Sequence, residues 1–470
     1  MKKNTFILLF LLCIFNKVFA QIPVFIGAKT DDHYSPGYFY KINGDGLGYG
    51  NIYNCVDSTG FCINRGFVKN VNGLIYGLTN YGGIGNAGVL YSFNPFDSSF
   101  SKLQDLGTLN GGWGNAFMIA SNGLFYGTVF HQLNTLQGAM FCYNPIDSSF
   151  GKVYSFPNAA PDFLMEASNG KIYGILREEG GPNNAGGIFC FNQSDSSVTY
   201  PYSFKSDYDM GPQGLTEAPN GKLYGVLRIG NDSTLFLGMI FSLDLLTNEY
   251  TEEFSFGTTA WKQPVFPLTL YNGLLYGVTY CGNSCDDILF SFDPINKVFQ
   301  KLAEFSTIGS SEPVGSLTLA DDNNLYAVMR EGGTLGCGVI CAFNPSTNLL
   351  SKFYDFKCPI GNYVRQSTEL IQIGTYSPTS IQTTTTFPPE LIVSPNPANK
   401  EFTLNYKLNH SFPVLISIKN IEGKVLYEKI NSTKIGENVN TISTIGMSSG
   451  IYFISINSKE GSTIKKIIIQ

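Results

Sequence analysis

Asn169-Gly170-Lys171-Ile172-Tyr173-Gly174, continued by Gly187-Ile188-Phe189-Cys190-Phe191-Asn192, is one full copy of a phrase that organises most of this chain. The first half returns at 72–77, 122–127, 220–225 and 272–277, and Asn323-Asn324-Leu325-Tyr326-Ala327 reads as a degenerate sixth copy. Its tyrosines fall at 76, 126, 173, 224, 276 and 326. A period of about 50 residues marks a propeller, a solenoid or an array. Asn-Gly between two apolar runs is a strong hairpin signal, because both residues tolerate positive φ. Asn94-Pro95-Phe96-Asp97-Ser98-Ser99 is a turn by its own side-chain chemistry. Aromatic runs such as Lys152-Val153-Tyr154-Ser155-Phe156 close the units. Each unit therefore reads as four strands: a before Asn-Gly, b through Tyr-Gly, c through the aromatic phrase, and d after the Asp-Ser-Ser turn. Four antiparallel strands describe a propeller blade.

The ends of the array complete each other. Phe25-Ile26-Gly27 and Gly37-Tyr38-Phe39-Tyr40 match strands b and c with no strand a before them. Thr368-Glu369-Leu370-Ile371-Gln372-Ile373-Gly374 matches a strand a with nothing after it. The sequence thus predicts an all-β fold: a seven-bladed β-propeller over 21–374, closed by a C-terminal strand. Closure removes the edges that an open array exposes.

Composition agrees. The 470 residues include 51 Gly, 37 Phe and 27 Tyr, with 14% charged; glycine serves turns and aromatics favour strands. Residues 1–20 read as a secretory signal peptide: Lys2 and Lys3, an apolar run from Phe6 to Phe15, then Val18-Phe19-Ala20. The run is short for a membrane span, and no later segment is apolar enough to be one. Formal net charge is −6. Residues 391–470 contribute nine Lys against five Glu, so the acidity lies in the repeat region. An acidic body argues against nucleic acid or an anionic membrane as partner.

Nine cysteines follow the signal, and export makes pairing feasible. Cys55 with Cys62, and Cys281 with Cys285, are spaced to bridge loops, and Cys337, Cys341 and Cys358 offer another choice. Cys142 and Cys190 read as buried thiols. Three His and no paired ligand spacing give no metal site. No catalytic triad, phosphate loop or dinucleotide fingerprint appears, so the reading assigns no catalytic residue and no cofactor.

Residues 375–390 are a Thr/Pro-rich linker. From 391 to 470, alternating runs suggest a small β-sandwich. Ser394-Pro395-Asn396-Pro397-Ala398, Ile421-Glu422-Gly423-Lys424-Val425, Ser449-Gly450-Ile451-Tyr452-Phe453 and Lys465-Lys466-Ile467-Ile468 occur in that order. Together they resemble the C-terminal sorting domain of the type IX secretion system of Bacteroidetes. The resemblance implies export across the outer membrane, with the secretion machinery as partner of 391–470, then release or attachment at the cell surface. The repeat itself resembles a tandem repeat of exported bacterial proteins, which implies architecture and export but no activity.

Loops on a rigid scaffold carry function. The b–c and d–a connections share one propeller face. Trp113 and Trp261, both in d–a loops, read either as a platform for sugar rings or as wedges between blades. Arg177, Arg228 and Arg330 stand at equivalent places after strand b, as an anion-binding ring or as salt-bridged loop residues. Glu178, Glu179, Asp286, Asp287 and Glu331 are the nearby acids, and Asp286-Asp287 lacks the alternating ligands of a calcium loop. The expected function is a secreted or surface non-enzymatic binding propeller, with a glycan or protein ligand on the b–c/d–a face. The alternatives are an extracellular polysaccharide-acting enzyme, by analogy of fold only, or a structural adhesion component.

Overall fold

A side chain after the repeat tyrosine would collide with its own sheet, and this fixes the unit. In the computed structural model Gly174 faces Phe189 across strands b and c, and a Cβ on Gly174 would lie 2.2 Å from the Phe189 ring. Gly77 faces Tyr91, Gly127 faces Phe141, Gly225 faces Phe241 and Gly277 faces Phe290 in the same way. Gly27 faces Tyr40, so the N-terminal fragment does hold strands b and c. The seventh pair is Ala327 opposite Cys341: where the ring is absent, a methyl group is accommodated.

The structure describes residues 22–30, 37–56, 61–63, 66–109, 113–131, 137–157, 159–177, 186–204, 212–228, 238–257, 263–280, 286–357, 366–367, 370–376, 391–408, 414–420, 425–431, 433–458 and 461–470. The signal peptide at 1–20, Trp261, Glu178, Glu179, Cys281, Cys285, Cys358 and most of the linker lie outside them. The chain divides into two compact units, Met1–Ser377 and Pro378–Gln470.

Among the described residues the first unit holds seven antiparallel sheets and no α-helix. The fourth is typical: Ala160–Glu166, Ile172–Arg177, Gly187–Phe191 and Val198–Ser203 pair in that order. The first sheet, built on Ile22–Thr30, Tyr38–Asn43 and Gly50–Asn54, receives Ile371–Tyr376 against Ile22–Thr30. That last strand runs two residues into the stretch read as linker. Every c–d pair also carries a bulge beside the residue facing the glycine, or facing Ala327 in the seventh sheet, as between Met140 and Phe141 or Ile340 and Cys341. Bulges increase local twist.

Apolar clusters sit between consecutive sheets. Tyr173, Ile175 and Ile188 of the fourth sheet pack with Leu215, Leu223 and Phe241 of the fifth. Phe25 and Tyr40 of the first pack with Tyr326 and Ile340 of the seventh. Polar ties follow the same junctions. The Thr216 hydroxyl donates to the Leu268 carbonyl at 2.6 Å, Thr269 to Leu317 at 2.7 Å and Thr318 to Leu370 at 2.7 Å. Glu166 accepts from the Ser121 amide and hydroxyl at 2.6 and 2.8 Å. Gln372 accepts from the Asp321 amide and donates to its carboxylate, at 2.9 and 2.7 Å.

Three local expectations are corrected. The Asn-Gly turns of the second to fifth sheets are three-residue loops. Gly123 donates to Ala120, Ala120 donates to Leu124, and the glycines at 73, 123, 170 and 221, not their asparagines, hold positive φ. This is a type I turn followed by a left-handed residue. The asparagine instead anchors the loop: Asn169 accepts from the Lys171 amide at 3.1 Å and donates to the Tyr173 hydroxyl at 3.0 Å. Only at Asn272-Gly273 do both residues have positive φ (48° and 81°). The sixth copy is also displaced by one residue. Asn323, at φ 62°, takes the glycine position, and Asp322 takes the asparagine position, accepting from the Asn324 amide and the Tyr326 hydroxyl. The cysteines differ too. Cys55 is a buried thiol, which corrects the loop bridge expected of it; Cys142 and Cys190 are thiols as expected, Cys142 only half-buried, and Cys341 is a buried thiol. Cys337 is disulfide-bonded.

Among the described residues the second unit has two sheets, of three and four strands, around one core that includes Phe402, Leu404, Ile416, Ile454 and Ile467. Asn396 of the Ser-Pro-Asn-Pro motif holds the last strand, accepting from the Ile468 amide at 2.9 Å and donating to the Lys466 carbonyl at 3.1 Å.

Candidate functional site

The residue four places after the repeat tyrosine stands at or near the end of strand b, at one rim of the first unit. In the fifth, sixth and seventh sheets it is Arg228, Tyr280 and Arg330. These three side chains belong to one network. Arg228 donates from Nε to Gln263 at 3.0 Å and lies 5.4 Å from the centre of the Tyr280 ring. Tyr280 donates to Glu312 at 3.5 Å. Arg330 pairs with the other Glu312 oxygen at 3.1 Å. The Glu312 amide donates to the buried Asp287 carboxylate at 2.7 Å. Two arginines and two carboxylates leave the cluster formally neutral. Burial raises the Tyr280 hydroxyl above its ordinary value, and Glu312 adds to this while both arginines oppose it. The phenol therefore stays a donor near neutral pH.

Gln263 and Glu312 are equivalent residues at the start of strand a in the sixth and seventh sheets. Both adopt positive φ, 64° and 59°. A non-glycine residue there costs roughly 1–3 kcal/mol and persists only where the surroundings impose it. Each meets an arginine four places after a repeat tyrosine, Arg228 at Gln263 and Arg330 at Glu312.

Trp113 opens strand a of the third sheet, half-buried, its ring 5.5 Å from Tyr81 at the end of strand b of the second. It lies at a junction between sheets. Arg177 ends strand b of the fourth sheet, but its side chain, like all of Trp261, lies outside the description. Asp286 is exposed, and Glu331 accepts from Ser311 at 3.3 Å. Among the described residues no group of three His, Cys, Asp or Glu is placed to hold a metal ion. Sequence reasoning missed Gln263, Tyr280 and Glu312. Tyr280 was accessible to it, because it occupies the same repeat position as the three arginines.

A cavity of about 170 Å3 lies against the innermost strands of the second to seventh sheets, lined among others by Asn115, Asp162, Phe163, Gln213, Phe266 and Ser316.

Residues 160–380 match the Gloeobacter/Verrucomicrobia repeat family, and residues 393–470 match the Secretion system C-terminal sorting domain. No curated protein matches the sequence. Among solved structures, a protein assigned as a 6-phosphogluconolactonase from Bacteroides uniformis is 12% identical, with 75% of this chain and 99% of that chain covered and a TM-score of 0.51. A second such protein, from Bacteroides fragilis, has the same identity and TM-score and is covered to 98%. At that identity the likeness concerns the fold alone. PorZ of Porphyromonas gingivalis, described as a surface component of the type-IX secretion system, aligns at 12% identity over 93% of this chain and 63% of its own, with a TM-score of 0.47. That value carries no argument. Among the described residues no helix is long and apolar enough to cross a membrane. The chain is an all-β repeat protein whose sorting domain directs it through the type IX system to the cell surface or the extracellular space.

Proposed function

We propose that residues 21–374 close into a seven-bladed propeller, and that the exported protein is a non-enzymatic binding module. Its ligand, a glycan or a protein, docks on the b–c/d–a face. Residues 375–390 are the linker, and 391–470 engage the secretion machinery. Support for the ring comes from the seven sheets, the pairing of the last strand with the first, and the core shared by first and seventh sheets. The observation that carries the binding reading is the rim network of Arg228, Gln263, Tyr280, Glu312 and Arg330. It spans three sheets and rests on two strained residues. Strain held by a polar network at a loop face is a mark of a functional surface. In this reading Arg177, Trp113 and Trp261 stand on the same face.

The test is binding of the full-length protein to arrays of glycans and extracellular proteins. Loss of binding by tenfold or more in Arg228→Ala/Tyr280→Ala, with an unchanged melting temperature, is the expected result. An unchanged binding profile in that variant overturns the assignment of the face.

A further inference from the structure

We propose that the inner cavity takes a single neutral sugar ring. This deepens the binding-module reading and rests on it, but it uses a different set of residues from the rim network.

The inner strands place equivalent residues at the cavity wall. Thr216 and Thr269 make the same hydroxyl bond to the next sheet, so Gln213 and Phe266, each three residues earlier, are equivalent. Asp162 precedes Glu166 as Gln213 precedes Glu217, and Asn115 stands five residues before Ala120 as Asp162 stands before Ala167. One position around the wall is therefore amide, carboxylate, amide and then a phenyl ring in four consecutive sheets. The Asn115 amide is fixed by donating to the Pro161 carbonyl at 2.8 Å. Phe266 adopts φ 65°, a conformation that a phenylalanine rarely takes. Phe163 also lines the cavity, from the fourth sheet, and both rings are half-buried.

The resulting wall interleaves polar groups with aromatic rings, Asp162 and Phe163 being neighbours on one strand. A pyranose has both kinds of surface: a C–H face that packs on aromatic rings, and hydroxyls that pair with amides and carboxylates. Size selects among sugars. At about 170 Å3 the cavity is well below the ~300–1,000 Å3 of drug-sized sites, so it fits one ring. Charge selects further. The described lining residues include one carboxylate, Asp162, and no Lys or Arg, which disfavours uronic or phosphorylated sugars. The ring can be a free hexose or the terminal residue of a glycan; the chemistry is shared.

Calorimetric titration of the full-length protein with glucose, galactose and mannose, and with their methyl glycosides, tests this. At least one neutral hexose is expected to saturate the protein. Equal binding of its methyl glycoside points to a glycan terminus, and loss on methylation points to a free sugar. Glucuronate is expected to bind at least tenfold more weakly than glucose, with the gap closing in Asp162→Asn. Phe266→Ala and Gln213→Ala are each expected to weaken hexose binding tenfold or more, the second guarding against a folding defect in the first. Ile146→Ser, on an exposed c–d turn outside both sets of residues, is expected to keep its hexose affinity; the rim is read by the arrays and the cavity by the hexose titration, so the two failures are told apart. Absence of saturation by every sugar overturns the proposal. So does wild-type affinity in both cavity variants, or an equal loss of hexose binding in Ile146→Ser.

Discussion

In six sheets of the first unit a glycine lies under an aromatic ring, and in the seventh Ala327 lies opposite Cys341. Both marks of the repeat change together in the one sheet where either changes. The glycine is therefore one half of a packing pair, kept because a ring from strand c occupies the volume of its missing side chain. The sharpest way to break the comparison is Gly127→Ala. A Cβ there would lie 2.3 Å from the Phe141 Cζ, with its other close neighbours on the same ring. Overpacking of this kind is expected to cost about 3 kcal/mol, read as a fall in the urea midpoint. In a Phe141→Cys background, which imitates the seventh sheet, the same methyl should cost under about 0.5 kcal/mol. Equal cost in both backgrounds would separate the two positions and end the pairing argument.

The reverse experiment rebuilds the ring where it is missing. Cys341→Phe, with Ala327 retained, is expected to destabilise by about 2 kcal/mol through the same collision, and Ala327→Gly in that variant should recover most of the loss. The native thiol is buried, its pKa pushed up to about 12 by desolvation. It should resist iodoacetamide in the folded protein and react only on unfolding. A smaller effect belongs to Ala327→Gly alone. With no ring to accommodate, it should lose only about 0.5–1 kcal/mol, from the greater chain entropy of glycine. A gain in stability there would mean that Ala327 is already crowded.

This pairing also separates what the sequence discloses from what it does not. The period, the a-to-d strand order and the complementary terminal fragments are readable because turn residues and ring-bearing strands act locally. The aromatic opposite each glycine depends on the register between strands b and c, which the structure supplies. Bulges in the c–d pairs have no signature in the turn and aromatic residues that mark the repeat. The one-residue displacement at Asp322-Asn323 was hidden because Asn can fill either turn position, and only φ distinguishes them. At the rim, Arg228 and Arg330 were found by position. Tyr280 was passed over because the series was read as arginines. Gln263, Glu312 and the cavity residues depend on how strands a approach one another, which no single repeat encodes.

The smallest expected effect sharpens the comparison at the junctions between sheets. Ser121 of the third sheet is held by Glu166 of the fourth, whereas Asp321 of the seventh is held by the amide of Gln372. Burial would raise the Glu166 carboxyl, but the Ser121 amide, Gln193 and the Ser121 hydroxyl outweigh it and lower its pKa. A depressed folded-state value means that the contribution is complete above the unfolded value of about 4.3 and fades as pH falls through the folded one. Glu166→Gln should therefore flatten the fall in melting temperature below about pH 4.3. Near neutral pH it should remove roughly 0.5 kcal/mol, the scale of a largely exposed contact. Gln372→Glu runs the comparison the other way, since it sets a carboxylate against Asp321. Its penalty should shrink as the pH falls and the pair takes up a proton. A penalty independent of pH would show that this junction is held by packing, with the polar clasp contributing nothing to it.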